Sequence, residues 1–116
     1  MKGISVQVVD ESDISTYKDF TISVGDDFGT SRDVLMTSLG AEGIDTRRYF
    51  FPLVHVQQAY ADLPPMKLPV TDDVAGRVIS LPMFARLPLD AVDAVVEAVA
   101  AVGHYADEIA ARFPPG

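Results

Sequence analysis

Between Gly43 and Tyr60 the chain reads GIDTRRYFFPLVHVQQAY. Arginines, aromatics, a proline and a histidine crowd into one irregular stretch. Neither a core strand nor an amphipathic helix needs that mixture, whereas a loop lining a polar pocket does. Guanidinium groups offer planar, bidentate donors to phosphate and carboxylate. A phenol and an imidazole on the same loop add hydrogen-bonding groups. Together they suit a phosphorylated or carboxylated ligand. A plainer reading of each residue stays open at this point. Arg47 and Arg48 serve equally as surface charges, Tyr49, Phe50 and Phe51 as core, and His55 as a loop histidine satisfied by backbone.

Other chemistries find less support. No G-x-G-x-x-G or Walker loop is present to cradle a phosphate. His55 and His104 lack zinc-like spacing. The carboxylate pairs Asp26-Asp27 and Asp72-Asp73 fall at expected turns and caps, where acidic residues are commonly solvated. The only lysines are Lys2, Lys18 and Lys67, and none lies in an apolar pattern that would desolvate it for Schiff-base chemistry. With no cysteine there is no thiolate nucleophile and no disulfide frame, which suits a cytoplasmic setting. A net charge of −8 argues against nucleic acid as partner. Hydrophobic residues make up 48% and charged residues 22% of the 116, which suits one globular domain over 1–116. Neither a leader segment nor a membrane span is evident.

These residues must be positioned by a mixture of strands and helices. Alternation predicts strands over Ile4–Val8 and Phe20–Val24, separated by the acidic and small residues 10–16. Gly25-Asp26-Asp27 signals a turn. Thr30 followed by Asp33 resembles a capping box for a helix carrying Val34, Leu35 and Leu39, ended by Gly40 or Gly43. Tyr49–Val54 is a candidate edge strand bent at Pro52. Thr71 is expected to cap a short helix through Arg77, followed by a strand over Val78–Leu81. Pro88 opens a long helix with Leu89, Val92, Val95, Val96, Val99 and Val102 as its apolar stripe. Gly103 ends or kinks it, the pattern continues to about Arg112, and Pro114-Pro115 close it. The fold class is therefore α+β, a small mostly antiparallel sheet with helices on one face. Element order alone leaves a ferredoxin-like arrangement open.

Several segments then resemble one family in order. Thr46-Arg47-Arg48-Tyr49-Phe50, Pro52 and His55-Val56-Gln57-Gln58-Ala59-Tyr60 are similar to the T-R-x-Y-F…P…H-x-Q-x-A-Y segment of pyridoxal-phosphate-dependent sugar aminotransferases of the DegT/DnrJ/StrS type. Thr16–Thr21 resembles their entry strand and Ser31-Arg32-Asp33 their helix start. Leu68-Pro69-Val70-Thr71, Ala75, Arg77-Val78 and Ser80-Leu81-Pro82 resemble the L-P-x-T…A-x-R-V-x-S-L-P signature. Leu53 departs from the family, standing where a proline is common.

The resemblance implies the C-terminal small domain of a fold-type I aminotransferase. The cofactor-binding residues and Schiff-base lysine of such enzymes belong to a large domain that precedes this region. Residues 1–4 fall where the crossover between the domains ends. By that resemblance the parent activity is amino transfer to a keto sugar nucleotide through pyridoxal phosphate. Arg47 is then expected to contact phosphate, and Tyr49 and His55 to hydrogen-bond the substrate. This chain alone is expected neither to hold the cofactor nor to catalyse. The alternatives are a stand-alone binding module and one half of a split enzyme. A large aminotransferase domain or a second copy is the expected partner. It would meet an exposed apolar surface comprising Tyr49, Phe50, Phe51, Leu53, Val54, Met66 and Met83-Phe84.

Overall fold

The computed structural model describes residues 1–112, so the Pro114-Pro115 pair lies outside the described residues. Three antiparallel strands, β1 (Ile4–Val6), β2 (Phe20–Val24) and β3 (Val78–Leu81), lie in the order β1-β2-β3. Ile4 faces Val24 and Val6 faces Ile22 across the first pair, and Phe20 faces Leu81 across the second. The class is α+β as expected, and sequential antiparallel pairing removes the ferredoxin-like alternative. The first strand is shorter than its alternation suggested. The ladder stops at Val6, and Val8 is exposed rather than packed.

Helix α1 (Arg32–Ala41) begins one residue later than the Thr30 capping box implied. The chain leaves Gly29 in a left-handed conformation, and Ser31 is extended before the helix. Its hydroxyl accepts the Val34 N–H at 3.3 Å and so caps the first turn. Of the two glycines expected to end the helix, Gly43 does so, at φ +76°, where an L side chain would be strained. Gly40 sits within α1.

Helix α2 (Pro69–Arg77) starts at its proline rather than at Thr71. A first-turn N–H has no intrahelical partner, so proline loses nothing there. The expected strand over Tyr49–Val54 does not form. Pairing beyond β3 consists of a single bridge, Arg47 with Ser80. Pro52 has no N–H to extend a ladder, and Val54–Val56 turns into a 3-10 helix instead.

Helices α3 (Leu89–His104) and α4 (Ala106–Arg112) close the described chain. Ile22, Val24, Phe28, Leu35, Leu39, Ile79, Val99 and Val102 form the core, with Val95, Ala98 and Ile109 packed against it. The expected stripe on α3 is thus correct at Val95, Val99 and Val102 and wrong at Leu89, Val92 and Val96. Leu89 is 82% exposed because only the C-terminal part of α3 meets the core. Gly103 lies inside α3, one residue before its end. It lies against Phe28, where a Cβ would come within 2.8 Å of Cε2 of that ring.

Burial separates the helix and core positions experimentally. Leu39 is fully buried, so Leu39→Ala is expected to cost about 2–5 kcal/mol. Leu89→Ala is expected to leave the chemical-denaturation midpoint nearly unchanged. Equal losses in the two variants would show that α3 is placed wrongly.

Candidate functional site

The stretch from Arg47 to Tyr60 is a surface loop held from beneath by a buried arginine. Arg32, the first residue of α1, is only 3% exposed. Its Nη1 donates to the Ala75 carbonyl at 2.9 Å and to the Val78 carbonyl at 3.1 Å. Those carbonyls belong to the end of α2 and the start of β3, where helical partners run out. Its Nε lies 2.8 Å from Oδ1 of Asp33, close in charge but without hydrogen-bond geometry. A cation at a helix N-terminus opposes the helix dipole, and the adjacent Asp33 offsets that.

The same cluster reaches the loop. The Phe51 ring carries the Arg32 guanidinium 5.3 Å from its centroid and the Arg48 guanidinium 4.7 Å away. Asp33 links the two cations, lying 3.5 Å from Nη1 of Arg48. Exposed cation–aromatic contacts contribute about 0.5–1 kcal/mol, and more when desolvated. Phe51 is therefore neither core nor idle surface.

A second anchor holds the loop to α2. His55, its side chain 11% exposed, places Nε2 3.0 Å from Oδ1 of Asp72. With Tyr60, Thr71 and the apolar side chains of Leu53, Leu63 and Met66, it lines a cavity of about 480 Å³. Asp72 is thus a partner of the candidate site rather than a merely solvated cap. Asp26 and Asp73 are also engaged, both by Arg77 at 2.8 and 2.9 Å. Hydrogen bonding from Arg77, then its charge, holds the Asp26 carboxyl below the ordinary carboxylate range. The folded-state value is lowered, so that stabilisation is complete above the ordinary range. It is lost as pH falls through the lowered value. Asp26 is almost fully exposed, so the effect is small.

Arg47, Tyr49 and His55 share the loop but do not converge. Arg47 sits beside the sheet edge with its Nη2 donating to Oδ2 of Asp45 at 2.7 Å. Tyr49 packs on Phe50 with ring centroids 5.3 Å apart. Among the described residues no hydrogen bond or ion pair joins any two of the three. Arg47 and Tyr49 face solvent, so both are free to meet a ligand arriving from outside. Arg32, Asp33, Phe51 and Asp72 escaped recognition as site-positioning residues. The available signal was an arginine in the first turn of an amphipathic helix, where acidic residues are favoured.

Lys2, Lys18 and Lys67 are all exposed, and Lys18 lies 3.9 Å from Asp19. Desolvation is what makes a lysine amine nucleophilic at neutral pH. Among the described residues no cluster of three metal-ligating side chains occurs, and no helix is long and apolar enough to cross a membrane.

Comparison with known proteins agrees with the architecture. Residues 1–100 match the DegT/DnrJ/EryC1/StrS aminotransferase family. A dTDP-4-amino-4,6-dideoxy-D-glucose transaminase of Shigella dysenteriae is 34% identical over 98 residues, covering 84% of this chain and 27% of that protein. A UDP-N-acetyl-3-dehydro-alpha-D-glucosamine 3-aminotransferase of Acidithiobacillus ferrooxidans is 37% identical over 71 residues, covering 61% of this chain and 18% of the relative. The crystal structure of DesI, solved in the presence of its TDP-sugar product, superposes with a TM-score of 0.87 at 29% identity. That match covers 97% of this chain and 29% of the DesI chain. The chain therefore spans less than a third of the length of these relatives.

The two anchors differ in expected strength. Asp72→Ala removes a partly exposed hydrogen bond to His55 and is expected to cost no more than about 1 kcal/mol. Arg32→Ala strands one buried and one partly buried carbonyl and is expected to cost on the order of 3 kcal/mol. Thermal unfolding measures both, and comparable losses would contradict the structural priority of Arg32.

Proposed function

The chain belongs to the DegT/DnrJ/EryC1/StrS aminotransferase family, and from that premise we propose that it supplies the small domain of a sugar-nucleotide aminotransferase. The reaction in view is amino transfer from an amino acid to a keto sugar nucleotide. Relatives named for dTDP- and UDP-linked sugars support that substrate class. Pyridoxal phosphate, when bound in such an enzyme, supplies the electron sink for the transfer. The three exposed lysines do not suit that cofactor. Its holder is a large aminotransferase domain, and the small domain alone is inactive. Exposed Met66, Met83 and Phe84 give that partner an apolar surface to cover. The chain acts as a single domain over 1–116 in a cytoplasmic setting.

Within that reading the loop closes over the nucleotide portion of the substrate. Arg47 meets a phosphate, exchanging its exposed bond to Asp45 for a charge-assisted one. Tyr49 presents its hydroxyl beside it. His55 is held by Asp72 and shapes the adjoining cavity. The observation that carries the proposal is this loop, with its cationic and phenolic groups outward and its base clamped by Arg32 and Phe51.

A nucleotide titration tests it. Adding dTDP or UDP to the chain is expected to shift NMR resonances of Arg47, Tyr49 and the residues around His55. Arg47→Ala is expected to weaken that response about tenfold. Shifts confined to other surfaces, or none at all, would contradict the ligand assignment. Pyridoxal phosphate with the same chain is expected to give no saturable spectral change relative to a denatured control. A stoichiometric signal that vanishes on replacing Lys2, Lys18 or Lys67 would overturn the assignment of the cofactor to another domain.

A further inference from the structure

Charge is unevenly matched at the start of α1. Elsewhere among the described residues an ion-paired arginine has at least one carboxylate to itself. Arg47 has Asp45, and Arg77 has both Asp26 and Asp73. At α1 the ratio is reversed. Arg32 and Arg48 share the one carboxylate of Asp33, and through the same oxygen. Oδ1 lies 2.8 Å from Nε of Arg32 and 3.5 Å from Nη1 of Arg48. One negative charge therefore faces two positive ones, in a chain whose net charge is −8.

The match is imperfect in geometry as well. The Arg32 side chain is 3% exposed, yet its Nε has no hydrogen bond, although Asp33 is close. A buried donor without an in-line acceptor is rare and costly. The backbone adds donors at the same place. Ser31 accepts the N–H groups of Val34 and Leu35. Those of Arg32 and Asp33 are left without a helical partner, at the positive end of the helix dipole. The Phe51 ring lies against both guanidiniums and limits where they turn. Asp33 is held less firmly. Its side chain is 63% exposed, at the rim of a hollow of about 430 Å³ that Thr37 and Ser38 also line.

We propose that Arg32, Arg48 and the first turn of α1 form a phosphate seat in which Asp33 is a displaceable occupant. A phosphate dianion matches two guanidiniums where the carboxylate matches one. One phosphate oxygen takes the place of Oδ1 between Nε of Arg32 and Nη1 of Arg48, and Asp33 turns outward to the hollow. The remaining oxygens meet the helix N–H groups. This seat is distinct from the outward face of Arg47. Arg47 bridges Ser80 and so has extended backbone, along which successive side chains point to opposite sides. Arg48 accordingly lies against Phe51 and α1. Because the seat spans α1 and the loop, filling it draws the base of the loop onto the helix. The inference rests neither on amino transfer nor on nucleotide contact at Arg47.

Inorganic phosphate is the probe, titrated at mildly alkaline pH and constant ionic strength with amide NMR as the readout. Saturable shifts are expected at Arg32, Asp33, Val34 and Arg48. Asp33→Asn removes the competing charge and is expected to tighten phosphate binding at least about tenfold, a gain that misfolding cannot produce. Arg48→Gln is expected to abolish saturation. Arg112→Gln, at the exposed end of α4, is expected to leave it unchanged. dTDP is expected not to reverse the phosphate shifts, whether or not it binds at Arg47, so the two readings fail separately. Shifts that never saturate in the wild type would mean an adventitious ion only and would overturn the proposal. So would Asp33→Asn that binds no tighter, Arg48→Gln that binds as well as wild type, or phosphate shifts that dTDP reverses.

Discussion

A single buried guanidinium organises this domain. Arg32 is nearly inaccessible to water, and burying a cation is costly unless its donors are used. Here Nη1 serves carbonyls at the end of α2 and the start of β3, Nε faces the charge of Asp33, and Phe51 lies under the plane. Three pieces of chain distant in sequence, around residues 32, 51 and 75–78, are thereby fixed relative to one another. Lysine could not substitute, because an ammonium lacks both the planar fork and the stacking face.

The loop owes its position to this arrangement. It has one bridge to the sheet and two short 3-10 turns, Val54–Val56 and Gln58–Tyr60, and few of its side chains are buried. Phe51 and Arg48 secure its first half through Arg32 and Asp33, and His55 secures its second half through Asp72. Holding the base while leaving Arg47 and Tyr49 outward reduces the ordering cost that a ligand must meet. Under the proposed function the fold contributes recognition and closure.

Much of the framework was legible in the sequence, and the reasons are local. Phe20–Val24 and Val78–Leu81 announce themselves by composition and period, and both strands form with those bounds. Gly43 acts through backbone geometry that any context respects. The resemblance carried by residues 46–60 and 68–82 identified the family. What was not legible depends on distant contacts. The stripe on α3 has the right period, yet periodicity cannot say how far the core extends beneath it, so Leu89 and Val96 stand exposed. Phe28 entered the core because Gly103 leaves room for its ring, a pairing that neither residue signals alone. Arg32 carries no signal in the sequence beyond that of a helix start. Its role arises from carbonyls more than forty positions away.

Amide hydrogen exchange on Arg32→Lys addresses the organising role of this residue most directly. The reporters are the N–H groups of Phe51, Val56 and Gln57, which donate to Arg48, Leu53 and Val54 within the loop. Exchange at Ile22, in the core strand β2, records global unfolding. Loop protection is expected to fall further than protection at Ile22, together with that of the last turn of α2. Loop protection that merely follows Ile22, or does not change, would contradict a loop held in place by Arg32.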